Sequence, residues 1–80
     1  MDNKPSPYLA ALIAEREDVQ RDLEHAQIAL EDADREAFET PTPKALRRRA
    51  EAVRKRDEFA AEWEEINERY AAAWAEEFAE

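Results

Sequence analysis

Residues 38–48 read FETPTPKALRR, and the reading of this stretch decides the fold. Pro41 and Pro43 stand two positions apart near the middle of a chain otherwise rich in helix formers. A kinked rod, a flexible linker and a tight turn would each accommodate them. Thr42-Pro43 has a counterpart upstream in Ser6-Pro7. Each pairs an N-cap hydroxyl with a proline at the first helical position, where its missing N–H costs nothing. Two helices are therefore predicted to begin near residues 7 and 43. Pro41 disfavours helical geometry at Thr40, which ends the first helix near Glu39. One long rod is the poorer reading, because the two prolines would remove two ladder hydrogen bonds within a turn. The prediction is an all-α, antiparallel two-helix hairpin, coiled-coil-like, with helices over about 7–39 and 43–79 and a turn at 40–42. A short tail at 1–6 precedes the single domain at 7–80.

Periodicity agrees with a hairpin. Leu9, Leu12, Arg16, Val19, Leu23, Ala26, Leu30, Ala33 and Ala37 alternate spacings of three and four, the heptad signature, broken only by Arg16. On the second helix the stripe is read as Leu46, Ala50, Val53, Ala60, Trp63, Asn67, Tyr70 and Trp74, with Arg56 or Asp57 as its polar interruption. Folding at the turn then sets Leu30 against Val53, Ala33 against Ala50, Leu23 against Ala60, Val19 against Trp63 and Leu9 against Trp74. Charge selects the same register. Glu31, Asp32, Asp34, Glu36 and Glu39 precede the turn, and Lys44, Arg47, Arg48, Arg49, Arg54, Lys55 and Arg56 follow it. Bases at a helix start oppose the macrodipole, so the acidic helix folded beside them is the better reason for their presence.

Composition excludes several kinds of chemistry. The 80 residues include no glycine and no cysteine, which removes phosphate-cradling loops, dinucleotide fingerprints, disulfides and thiolate metal sites. A net charge of -9 argues against nucleic acid or an anionic membrane as a direct partner. No apolar run approaches the ~20 residues of a membrane span. The start, MDNKPSPYLAALIAERE, reads as no signal peptide, so a cytoplasmic protein is expected. The lone His25 follows Asp22 at a spacing that puts both on one helical face, but the second helix offers no histidine to complete a metal site. Ser6, Thr40 and Thr42 are explained as cap and turn residues, which leaves no nucleophile with a base. No cofactor, no metal and no enzymatic activity are expected. Arg47, Arg48 and Arg49 point about 100° apart around a helix and form no flat phosphate-binding patch.

The functional hint lies at the open end. Phe59, Trp63, Ile66, Tyr70, Trp74 and Phe78, with Tyr8 and Ile13 opposite, cover an arc too broad for one helix to bury, and Phe59 and Ile66 are read as off the seam. Acids including Glu62 and Glu65 surround them. Aromatic anchors rimmed by charge are the anatomy of interface cores. These eight residues, Phe59 to Phe78 with Glu62 and Glu65, are the expected partner-binding set. Ile28 and Phe38 also fall off the first seam and offer a second dimer contact. The hairpin is similar in architecture to the small secreted WXG-type helical hairpins, which pair into four-helix bundles. ETPTP replaces their Trp-x-Gly turn, and Tyr70-Ala-Ala-Ala-Trp74 lacks the acid of their Tyr-x-x-x-Asp/Glu signal, so the likeness is one of architecture.

Three functions are compatible with these features. One is a small acidic adaptor or inhibitor, of the kind phages and mobile elements encode, docking on a protein partner with a basic surface. Another is an assembly component that dimerises into a four-helix bundle. The last is an acidic mimic of nucleic acid, with Glu58, Glu62 and Glu65 as one ordered row.

Overall fold

A computed structural model describes residues 5–78. Helix α1 spans Pro7–Glu39 and helix α2 spans Pro43–Phe78, folded against each other as an antiparallel hairpin. Residues 1–4 of the predicted tail at 1–6 and the predicted end of α2 at residue 79 lie outside the described residues.

Both helix starts use the capping chemistry that the sequence announces. The Ser6 hydroxyl accepts from the Leu9 N–H at 3.1 Å, and the Thr42 hydroxyl accepts from the Ala45 N–H at 3.1 Å. Pro7 and Pro43 occupy first-turn positions where no N–H is needed. At the end of α1, Thr40 leaves helical geometry at φ -139° and ψ 80°, away from the α region that a following proline disfavours. Its N–H still donates to the Glu36 carbonyl at 2.8 Å, and the Thr42 N–H then donates to the Thr40 carbonyl at 2.7 Å. The chain thus reverses with no residue at positive φ among those described, and glycine is not required.

The α1 seam is as expected: Leu9, Leu12, Ala26, Ala33 and Ala37 are buried, and Arg16, Val19, Leu23 and Leu30 are half-buried between them. The α2 seam is not. Ala45, Ile66 and Ala73 are buried, at 1%, 3% and 6% exposure, whereas Leu46 and Trp74 stand out at 49% and 50% and Ala50 is exposed. The strip that faces α1 is Ala45, Arg49, Ala52, Arg56, Phe59, Trp63, Ile66, Tyr70 and Ala73, one residue earlier than predicted at most positions. Its spacings alternate four and three without interruption. The predicted strip needs two consecutive threes, from Asp57 through Ala60 to Trp63, and such a stammer would carry it off a partner held over several heptads. The alanines at both ends of the true seam also let the helices approach closely.

This shift turns α2 about its own axis by part of the ~100° that separates neighbouring residues, so that Trp63 and Tyr70 stay on the seam and Val53, Ala60 and Asn67 remain half-buried at its edge. The contacts that cross the hairpin keep the predicted register, joining Ser6 to Glu77, Arg16 to Asn67 and Asp34 to Arg49, and Ala73 rather than Trp74 shares the buried cluster with Leu9. Leu9, Leu12, Ile66 and Ala73 form the buried cluster, with Ile13, Val19, Trp63 and Tyr70 packed against it.

Ion pairs cross the turn as predicted at two places: Arg48 meets Glu36 at 3.2 Å, and Arg49 meets Asp34. Other bases pair within α2, a correction to the expected cross-hairpin set. Arg54 bonds Glu51 and Glu58, and Arg56 bonds Asp57 at 2.9 Å. The hydrogen bond from Arg54 holds the Glu51 carboxyl below its ordinary value, and the same bond raises the Arg54 guanidinium. At the open end the Ser6 N–H donates to the Glu77 carboxylate at 3.0 Å and ties the helix ends together.

A rod results. The hairpin measures 60 × 17 × 15 Å, with a radius of gyration of 17.8 Å against about 12 Å for a compact chain of this length. It exposes 6292 Å², whereas a compact monomer of 9.3 kDa exposes about 5,000 Å².

Candidate protein-binding surface

The seam divides the surface of α2 into two unlike flanks. Positions one residue before the seam carry Lys44, Arg48, Glu51, Lys55, Glu58, Glu62, Glu65, Arg69 and Ala72, and Glu76 lies one turn beyond. That flank is charged at every position but Ala72. Positions one residue after the seam carry Leu46, Ala50, Val53, Asp57, Ala60, Glu64, Asn67, Ala71 and Trp74, and Phe78 lies one turn beyond. This second strip is largely apolar and runs the length of the helix with the same alternating spacing; Leu46, Ala50, Ala71 and Trp74 are exposed, while Val53, Ala60 and Asn67 stay half-buried beside the seam. The sequence-level stripe mixed these two strips, taking Leu46, Ala50, Val53, Ala60, Asn67 and Trp74 from the outer one and Trp63 and Tyr70 from the inner one.

The six apolar residues of the expected partner-binding set therefore separate into three groups. Ile66, read from the sequence as off the seam, lies in the core at 3% exposure; Phe59, read the same way, is half-buried in the seam. Trp63 and Tyr70 are half-buried and engaged within the hairpin. The Arg16 guanidinium lies over both rings, 5.2 Å from the Trp63 centroid and 4.9 Å from that of Tyr70. Arg16 Nε also donates to Asn67 Oδ1 at 2.6 Å. The polar break in the α1 seam is thereby answered by a polar and aromatic site on α2.

Trp74 and Phe78 form the third group. Their ring centroids are 5.0 Å apart at an interplanar angle of 42°, and they remain 50% and 39% exposed. Tilted aromatic pairs of this kind are favourable in themselves, yet these two leave roughly 200 Å² of aromatic surface in water. At about 25 cal/mol per Å², that is ~5 kcal/mol of burial not yet realised.

Glu62 and Glu65 stand on the charged flank, where with Glu15, Val19, Ile66 and Arg69 they line a shallow polar groove. Arg69 bonds Glu65 at 2.7 Å. Tyr8 lies on that flank too, lining a hollow with Ser6, Ala73, Glu76 and Glu77. The acids nearest the Trp74 and Phe78 strip are Asp57 and Glu64, which lie within it.

The turn end of the outer apolar strip carries a second apolar feature. Phe38, at 90% exposure, and Leu46 line a groove with Asp34, Arg35, Ala37 and Arg49. Ile28 is exposed alone on the outer side of α1, opposite the seam. Asp22 and His25 are exposed, and no group of three or more potential metal-ligating side chains converges among the described residues. No helix among them is long and apolar enough to cross a membrane. Comparison with protein-family models, curated proteins and solved structures returned no match to this chain.

Proposed function

We propose that this chain is a non-enzymatic protein-binding hairpin, a small acidic adaptor or inhibitor acting in the cytoplasm. It docks on a partner through Trp74 and Phe78. The observation that carries this reading is the half-exposed, mutually packed aromatic pair on a strip that the hairpin's own core leaves uncovered. Tryptophan anchors of this kind dominate binding energy because they bring large apolar area with little rotamer entropy to lose. The partner offers an apolar groove bordered by cations. The C-terminal half of α2 supplies the complementary charge, with Glu58, Glu62, Glu64, Glu65, Glu68, Glu76 and Glu77 against Arg69. Long-range attraction of that sign speeds encounter, and the aromatic pair sets the lifetime of the complex.

A photo-crosslinking amino acid at position 78, with the same group at position 25 as control, tests the proposal in lysate of the native host. A discrete adduct from position 78, absent from position 25 and lost on Trp74→Ala, is the expected result. Absence of any adduct at position 78 refutes it. The nucleic-acid mimic makes a different prediction, because its row of Glu58, Glu62 and Glu65 lies on the other flank. There, glutamine at these three positions would abolish binding that Trp74→Ala leaves intact.

A further inference from the structure

The chemistry required of the partner, an apolar strip bordered by cations, is present on this chain. It is the N-terminal half of the same outer strip of α2. We propose that a second copy occupies the strip, with the two α2 helices antiparallel and each copy's Trp74 and Phe78 lying over the other's turn-proximal half. This inference rests on the protein-binding reading and names its partner.

The strip complements itself. Sliding two antiparallel copies until every strip position faces another sets Leu46 opposite Phe78, Ala50 opposite Trp74, and Val53 opposite Ala71, each pair joining one copy to the other. The largest side chains thus meet small or aliphatic ones, the arrangement that interdigitated packing requires. Trp74, Leu46 and Phe78 are the exposed large hydrophobes of α2, and this one register covers all of them.

Charge fixes the direction. Lys44, Arg47, Arg48, Arg49, Arg54, Lys55 and Arg56 crowd the first half of α2, and the second half is almost wholly acidic. An antiparallel pair lays the basic half of each copy along the acidic half of the other. A parallel pair stacks like on like along the whole contact. Area agrees as well: the hairpin exposes 6292 Å², on the order of 1,300 Å² more than a compact chain of its mass, and a standard interface needs about 800 Å² from each partner.

The middle of the strip is polar. Asp57 already has Arg56, and Asn67 already has Arg16, so both enter the contact with a partner in place. Glu64 has none among the described ion pairs. It falls beside the two-fold axis, where the two Glu64 carboxylates repel each other. It limits affinity and makes the dimer reversible.

Sedimentation equilibrium on the full chain tests this. The expected species is twice the 9.3 kDa chain mass, dissociating on dilution and as salt rises. Because each dimer contains the Trp74 contact twice, Trp74→Ala should weaken it by ~10³-fold. Leu46→Asp, at a position 49% exposed in the single hairpin, should give a folded monomer by circular dichroism even if the tryptophan variant folds poorly. Glu64→Leu should tighten the dimer at least tenfold. A spin label on Arg47→Cys should report a distance of ~45 Å between copies, against ~15 Å for a parallel pair. A strict monomer at high concentration, a dimer that survives Leu46→Asp, or the short distance would each overturn the proposal. A strict monomer that still gives the position 78 adduct with another protein would overturn the second copy alone and leave the protein-binding reading standing.

Discussion

Replacing Arg16 by alanine removes the one cation of the α1 seam, and the geometry around it sets the expected cost. Its hydrogen bond to Asn67 at 2.6 Å involves a charged donor, a class worth ~1.5–3 kcal/mol when buried. Its guanidinium also covers Trp63 and Tyr70 at 5.2 and 4.9 Å, and partly exposed cation–π contacts contribute ~0.5–1 kcal/mol each. Arg16 is half-buried, so solvent screening reduces both effects, and the net loss is about 2–3 kcal/mol. In a domain of this size each kcal/mol lowers Tm by ~4–8 °C, so the variant should melt ~10–20 °C lower by circular dichroism. Leucine at the same position restores an apolar heptad residue and should recover most of that loss, as apolar replacements of buried ionic groups commonly do. A double-mutant cycle of Arg16→Ala with Asn67→Ala should return a coupling of ~1 kcal/mol. A coupling indistinguishable from zero, together with an alanine variant as stable as the parent, would refute the idea that Arg16 answers a polar site across the seam.

Other perturbations follow from the same structure. Ala45→Leu should cost ~1–3 kcal/mol by overpacking a site 1% exposed, whereas Ala50→Leu should leave monomer stability nearly unchanged; comparable urea midpoints for the two would contradict the α2 rotation. Thr42→Ala removes the acceptor of the Ala45 N–H and should cost ~1 kcal/mol in the same assay, with Thr42→Ser recovering it. Glu51 is held below its ordinary value of 4.5 by Arg54, so its stabilising effect is complete above that value and is lost as pH falls through the lower folded one. A carboxyl NMR titration should show Glu51 moving up on Arg54→Gln, and an unmoved titration would contradict the pairing.

The parts of the fold that could be read from sequence were those governed by local chemistry. Ser6-Pro7 and Thr42-Pro43 each specify a cap through a hydroxyl and a ring, and Pro41 specifies the stop at Thr40, so both helix starts and the turn were legible. The α1 seam was legible because only one apolar strip runs along that helix. On α2 two strips lie one residue apart, and hydrophobicity alone prefers Leu46 and Trp74 to Ala45 and Ala73. Close helix approach favours the opposite choice, since alanine buries completely where tryptophan would hold the backbones apart. The unbroken alternation that begins at Ala45 was the signal that separates the two strips. Because one residue is about 100° of rotation, the slip also carried Ile66 outward in the sequence reading and placed Glu62 and Glu65 beside aromatics that lie on the other flank.

The proposed interface requires that Trp74 stand outside the core of the hairpin and become covered when a second copy or a partner binds. Trp63→Phe leaves Trp74 as the sole indole, so its emission maximum and acrylamide quenching can be followed from dilute to concentrated protein. The expected record is red-shifted, readily quenched emission from the dilute chain, moving to blue-shifted, protected emission as copies or a partner cover the strip. Protected emission from the dilute monomer, or exposed emission at every concentration and with every partner, would contradict it.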